Sequence, residues 1–261
     1  MEPILVLGAG YLGGRLAAAL IDQGHDVIAV RRTPAPPPFL SVDLRQLDAA
    51  LHALGVTRVD AIAVTLAPSR GAGYEIYAEA TGKAVALARD FAASFVLYTS
   101  STGVYAERDG GLVDETSPLA TDTDRGRLLV AAEARLANSP CPVAVLRLSG
   151  LYGPGRNPIE RYRANGSTAY TNRIHVDDAV ATASLVLSRR EPLLVNVTDD
   201  EPARAVDIAR WLAAREGAPP PEERPGEAGM PNRRISNARL RSLGITLRYP
   251  TFRDGLEALS S

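Results

Sequence analysis

The sequence predicts an α/β fold in which a doubly wound parallel sheet is covered by helices on both faces. Three observations predict it: short continuous apolar runs recur along the chain, helical periodicity fills the stretches between them, and the first run ends in a glycine-rich turn that opens into a helix. Residues 4–7 form the first run, and Leu12, Leu16, Ala19 and Leu20 then recur at helical spacing up to the stop signal Gly24. Residues 27–30 form a second buried strand, so the first thirty residues read as one βαβ unit with a right-handed crossover. The third strand is expected to end at Val42-Asp43-Leu44, and further runs follow at 61–66, 95–98, 143–148 and 193–197. Helical patterns fall at 74–90, 126–137 and 176–188. In the last sixty residues Pro202 is placed in a first helical turn, and an apolar stripe of Ala205, Ile208, Ala209, Leu212 and Ala213 runs to Gly217. A loop over 217–232 and a short helix over 237–243 complete this tail, and no internal repeat is evident. The expected organisation is a dinucleotide-binding domain over 1–150 and a small C-terminal cap over 151–261, with 174–198 returning to the sheet.

Composition narrows the function classes. A chain of 261 residues with 46% hydrophobic and 23% charged residues is neither disordered nor collagenous, and it is long enough to bury a core without a staple. Cys141 is the sole cysteine, which excludes an intrachain disulfide and argues against a cysteine-based zinc site. The three histidines and the scattered carboxylates lead us to expect no metal. A net charge of −1 supplies no field for nucleic acid or an anionic membrane. The start of the chain has no basic segment and too short an apolar run for a signal sequence or a membrane span, so the expected location is the cytoplasm.

The turn Gly8-Ala9-Gly10-Tyr11-Leu12-Gly13 is GxGxxG between a buried strand and a helix, the setting of a Rossmann-type dinucleotide site. Gly8 permits the tight turn, Gly10 lets backbone approach a pyrophosphate, Gly13 lets helix pack on strand, and the amides at Tyr11 and Leu12 face the phosphates. NAD-specific sites place a carboxylate at the end of the second strand, whereas this chain has Arg31 and Arg32. Guanidinium forks pair with a 2′-phosphate, so the expected cofactor is NADP rather than NAD; the alternative is that both arginines are surface residues. Asp43 is placed against the adenine amine. Leu44, with Leu66 and Ala67 where the fourth strand runs out, completes the cofactor set.

With Tyr98-Thr99-Ser100-Ser101-Thr102-Gly103-Val104-Tyr105, the sequence resembles the extended short-chain dehydrogenase/reductase family, the group of nucleotide-sugar epimerases and dehydratases. Arg147 to Gly155 resembles that family's strand and YGP turn, Arg173 to Asp178 its HVDD helix start, and Val195-Asn196-Val197 its late strand. The resemblance implies a catalytic serine at Ser101, with Thr102 beside it, followed by a tyrosine and, four residues on, a lysine. Arg125 and Leu129 stand in those two places, and Lys83 is the only lysine in the chain. The resemblance therefore implies an atypical member without the usual proton relay. Tyr74, with Tyr77 near it on the loop after the fourth strand, is the first candidate for a replacement phenol, its alternative being a rim tyrosine. Tyr105, Arg125, Tyr152, Arg156 and His175 are candidates for substrate contact, and His175 is alternatively an orienting group at a helix start.

Two functions are consistent with these residues. One is NADP-dependent oxidoreductase or epimerase/dehydratase-type chemistry on a small polar or nucleotide-sugar-like substrate. The other is a catalytically silent NADP(H)-sensing protein. The resemblance also implies a homodimer.

Overall fold

The computed structural model describes residues 2–68 and 73–259. The chain divides into two compact units: the first comprises Met1–Ser101, Thr121–Leu146 and Val180–Leu194, the second Thr102–Ala120, Arg147–Ala179 and Val195–Ser261.

A seven-stranded sheet organises the first unit. Its opening strands are β1 (Ile4–Leu7), β2 (Val27–Arg31), β3 (Phe39–Ser41), β4 (Ala61–Val64) and β5 (Phe95–Ser101), followed by Val143–Leu148 and Leu193–Val197. From edge to edge the order is Leu193–Val197, Val143–Leu148, β5, β4, β1, β2, β3. β1 pairs in parallel with β2 on one side and β4 on the other, so Ile4 faces both Val27 and Ala61. Every residue of β1 and β4 is buried, which is why both read as unbroken apolar runs. The chain reverses its direction of travel between β1 and β4, and such a switch point opens a crevice at the carboxyl ends of the strands. The helices of this unit include α1 (Tyr11–Asp22), α2 (Leu47–Ala53), α3 (Ile76–Asp90) and α4 (Asp124–Arg135). α1 buries Leu12, Gly13, Leu16, Ala17 and Leu20, the face its periodicity predicts.

The second unit is made of short two-stranded ladders and helices. Gly150–Tyr152 pairs with Arg173–His175, Tyr170–Thr171 with Ala203–Arg204, and Leu112–Val113 with Arg234–Ile235. Its core joins Tyr152, Ile159, Tyr162, Ile208, Leu212, Phe252 and Leu256. Tyr152 lies so close over Gly255 that a Cβ there would fall 1.8 Å from the phenolic oxygen, so only glycine fits.

The observed boundaries differ from the expected ones at four places. Residues 102–120 group with the second unit because Leu112–Val113 is held by Arg234–Ile235 and Arg147 donates to Tyr105. β3 ends at Ser41, and Asp43 instead caps a 3-10 turn, its carboxylate accepting the Arg45 N–H at 3.0 Å. Pro202 precedes the helix rather than opening it: Ala203–Arg204 finds backbone partners in Tyr170–Thr171, and the helix Ala205–Glu216 starts after that pairing. Tyr77 lies inside α3, not on the loop before it.

Candidate functional site

In the first unit a cleft of about 180 Å³ opens at the carboxyl ends of β1, β2 and β4. Its lining includes Gly8, Arg31, Arg32, Asp43, Leu44, Leu66 and Ala67, seven of the residues expected to meet a cofactor. Gly8 has φ +97°, and a Cβ there would come within 2.9 Å of the Leu66 backbone, so the turn demands glycine twice over. A Cβ on Gly13 would lie 2.2 Å from Thr65 Oγ1 and 2.4 Å from Gly8 O, which fixes how closely α1 packs on the sheet. Gly10 is different: its nearest neighbour on that side is 3.9 Å away, so the backbone is bare. α1 has neither a side-chain cap nor an acidic residue in its first turn. Its positive dipole end is therefore left for an external anion.

Arg31 closes the second strand with its guanidinium over the Phe39 ring, 5.4 Å from the centroid. Arg31 Nε is buried and meets no acceptor among the described residues. Such an orphaned donor is costly unless an acceptor arrives with a ligand. Arg32 is exposed. These residues fit a pyridine dinucleotide: bare amides on the side of the diphosphate and a guanidinium on the side of the adenosine end. Arg45, Pro68, Ile76 and Glu79 also line the cleft and were not singled out from sequence, although Arg45 follows Asp43 by two positions and pairs with Glu79 at 3.5 Å.

A second group lies at the carboxyl end of β5. Arg125 Nη2 donates to Ser101 Oγ at 3.4 Å, and the Arg125 guanidinium sits 5.6 Å from the centroid of Tyr74. Tyr74 is exposed and lies parallel to Tyr77, with centroids 6.2 Å apart. Burial pushes the Tyr77 phenol up, against the opposing charge of Arg125. The fold thus gathers Ser101, Tyr74 and Arg125, which the sequence could name only separately. Leu129, where the family places lysine, is fully buried. Beneath the group, Ser100 donates to Glu133 at 2.5 Å, a contact that sequence offered no signal for.

The remaining candidates belong to the second unit. Thr102 begins the 3-10 turn Thr102–Val104. Tyr105 is buried, donating to Asn196 Oδ1 at 2.6 Å and accepting from Arg147 at 3.0 Å; burial pushes its phenol up. Tyr152 and His175 are also buried, with their rings edge to face at 5.2 Å. His175 Nδ1 accepts the Asp177 N–H at 3.2 Å, an orienting contact at the start of the helix Val176–Arg189. Arg156 is exposed in the turn that Gly153 and Gly155 shape. Among the described residues no group of three or more His, Cys, Asp or Glu side chains could hold a metal ion, and no helix is long and apolar enough to cross a membrane.

The parallel sheet, its switch point and the glycine turn define a Rossmann-type protein of the short-chain dehydrogenase/reductase kind. More particularly, the chain belongs to the NAD dependent epimerase/dehydratase family, whose model matches residues 4–194. It is 32% identical to protein YeeZ of Escherichia coli over 96% of this chain and 97% of that protein. It is 29% identical to a 3-diazoavenalumate denitrifying reductase from Streptomyces sp., over 97% of this chain and 98% of the reductase. A solved structure from Methylobacillus flagellatus is 33% identical, with a TM-score of 0.84 over 99% of this chain and 97% of that one.

Proposed function

We propose that this protein is an NADP-preferring, atypical short-chain dehydrogenase/reductase. Its reaction is of the oxidoreductase or epimerase/dehydratase type, on a small polar or nucleotide-sugar-like molecule in the cytoplasm. The observation that carries the proposal is Arg31 at the end of β2, a buried guanidinium nitrogen without an acceptor among the described residues, beside a glycine turn whose helix has no side-chain cap. The dinucleotide, when bound, supplies hydride exchange at its nicotinamide ring. Gly8, Gly10 and the first amides of α1 hold the diphosphate, Arg31 and Arg32 select the 2′-phosphate, and Asp43 meets the adenine. Ser101 hydrogen-bonds the substrate oxygen, and Tyr74 is the phenol available to exchange a proton there. Arg125 contacts the substrate, whereas Tyr105, Tyr152 and His175 set the positions of their neighbours. A reductase among the relatives supports turnover by a chain of this length and family.

The sensor reading draws on one observation, the buried Leu129 in place of the family's lysine, which leaves no amine to lower a phenol pKa. Titrating the chain with NADPH and NADH by fluorescence, then screening metabolites with the preferred form, separates the two. Tighter NADPH binding with substrate-dependent oxidation supports the enzyme. Equal affinity for the two coenzymes overturns the role of Arg31 and Arg32, and unchanged turnover in Tyr74→Phe removes Tyr74 from proton exchange.

A further inference from the structure

Arg125 and Arg127 stand two residues apart on α4 with different partners. One half-turn away Arg127 is neutralised by Asp124, and across the same unit Lys83 is neutralised by Asp48 at 2.5 Å. Arg125 instead reaches Ser101 Oγ at 3.4 Å, lies 5.6 Å from the Tyr74 centroid, and forms no ion pair with a carboxylate among the described residues. Its exposed guanidinium thus meets the Ser101 hydroxyl, the Tyr77 side chain and the Tyr74 ring at the carboxyl end of a central strand, where ligands of parallel sheets bind. A planar fork with a hydroxyl beside it matches the two oxygens of a carboxylate. Arg127 and Lys83 already have acidic partners, so the group offers one unneutralised positive charge, which suits a monoanion better than a phosphate dianion.

We propose that Arg125 and Ser101 form a carboxylate-binding pair, and that the exposed ring of Tyr74 is the face on which a planar acid lies. The substrate class is then a small aromatic or conjugated carboxylic acid. This assignment rests on the reading above for its place in a reaction, where the substrate oxygen that Ser101 meets is then a carboxylate oxygen and not the reacting one, but not for the binding itself.

The test uses benzoate and its neutral counterpart benzamide, titrated calorimetrically into the full chain with and without NADP⁺. Benzoate should bind at least about tenfold more tightly than benzamide, and Arg125→Gln should remove that preference while leaving NADPH affinity unchanged. Arg125→Lys, which keeps the charge and loses the fork, should fall between. Ser101→Ala should weaken benzoate a few-fold. Circular dichroism checks that each variant is folded. Equal binding of benzoate and benzamide by the wild-type chain, or an undiminished benzoate affinity in folded Arg125→Gln, overturns the proposal. A chain that discriminates the two probes yet binds neither coenzyme keeps this inference and refutes the cofactor reading. A chain that binds NADPH and ignores benzoate does the reverse.

Discussion

Replacing Arg31 by Gln isolates the coenzyme choice. The guanidinium sits half-buried at the end of β2 with Nε lacking an acceptor among the described residues, so in the free chain it bears a desolvation cost. A 2′-phosphate would remove that cost by supplying charged acceptors, and hydrogen bonds to charged groups contribute about 1.5–3 kcal/mol. Losing them converts to roughly 10- to 150-fold in affinity. NADH has a hydroxyl there and offers no such acceptor, so its affinity should stay within about twofold. The variant also gives up the contact with the Phe39 ring at 5.4 Å, a loss of about 0.5–1 kcal/mol in stability that leaves the fold intact. Arg32 is exposed, and Arg32→Gln should have the smaller effect because solvent screens its charge. Fluorescence titration of both coenzymes into wild type and variant reads the difference directly. If Arg31→Gln weakens NADPH and NADH alike, or neither, the argument from the orphaned nitrogen is refuted.

Three further outcomes follow from particular contacts. Gly13→Ala forces a Cβ to within 2.2 Å of Thr65 Oγ1, so α1 must back away from the sheet; a stability loss of about 1–3 kcal/mol, read from denaturant unfolding, should accompany weaker coenzyme binding. Leu129→Lys should destabilise by at least about 2 kcal/mol, since the site is fully buried and the amine would lie out of water; unchanged stability would mean the side chain reaches solvent and that position 129 can host the family's lysine. Burial pushes the Asp199 carboxyl up to about 7, the Arg173 charge 3.6 Å away opposing the rise only in part. An acid that keeps its proton longer in the folded chain contributes stability that is complete below the unfolded value near 4 and is lost as pH rises through about 7. Thermal melts should therefore show the wild type losing stability between about pH 5 and 8 and Asp199→Asn keeping it, while a wild-type midpoint that does not fall would contradict the assignment.

Much of the fold was legible because its signals are local. Residues 4–7 and 61–64 read as strands covered on both faces, since no polar position interrupts them, and Gly8 and Gly13 mark a turn whose geometry few other residues tolerate. The misplaced boundaries share a different origin. Ala203–Arg204 looked like a helix start behind Pro202 until Tyr170–Thr171 supplied backbone partners, and Asp43, expected where the third strand ends, gains a role as the cap of the next turn. In each case a partner distant in sequence, or a local side-chain bond, outweighed the pattern. Tyr105 and His175 read as chemistry because their residue types suit it, while burial and bonding to Asn196, Arg147 and Asp177 decide what they contact.

By itself the sequence determined that a strand, a glycine turn and a helix would follow one another, that arginines close the second strand, and that the family's usual tyrosine and lysine are missing. Each of these is read from residue types at fixed spacings along the chain. Only the tertiary structure decided that Arg125 would meet Ser101 and Tyr74, that Leu129 would be sealed from solvent, and that residues 102–120 would join the second unit. Those outcomes depend on which surfaces close over one another when the chain packs, and no periodicity along the chain encodes that.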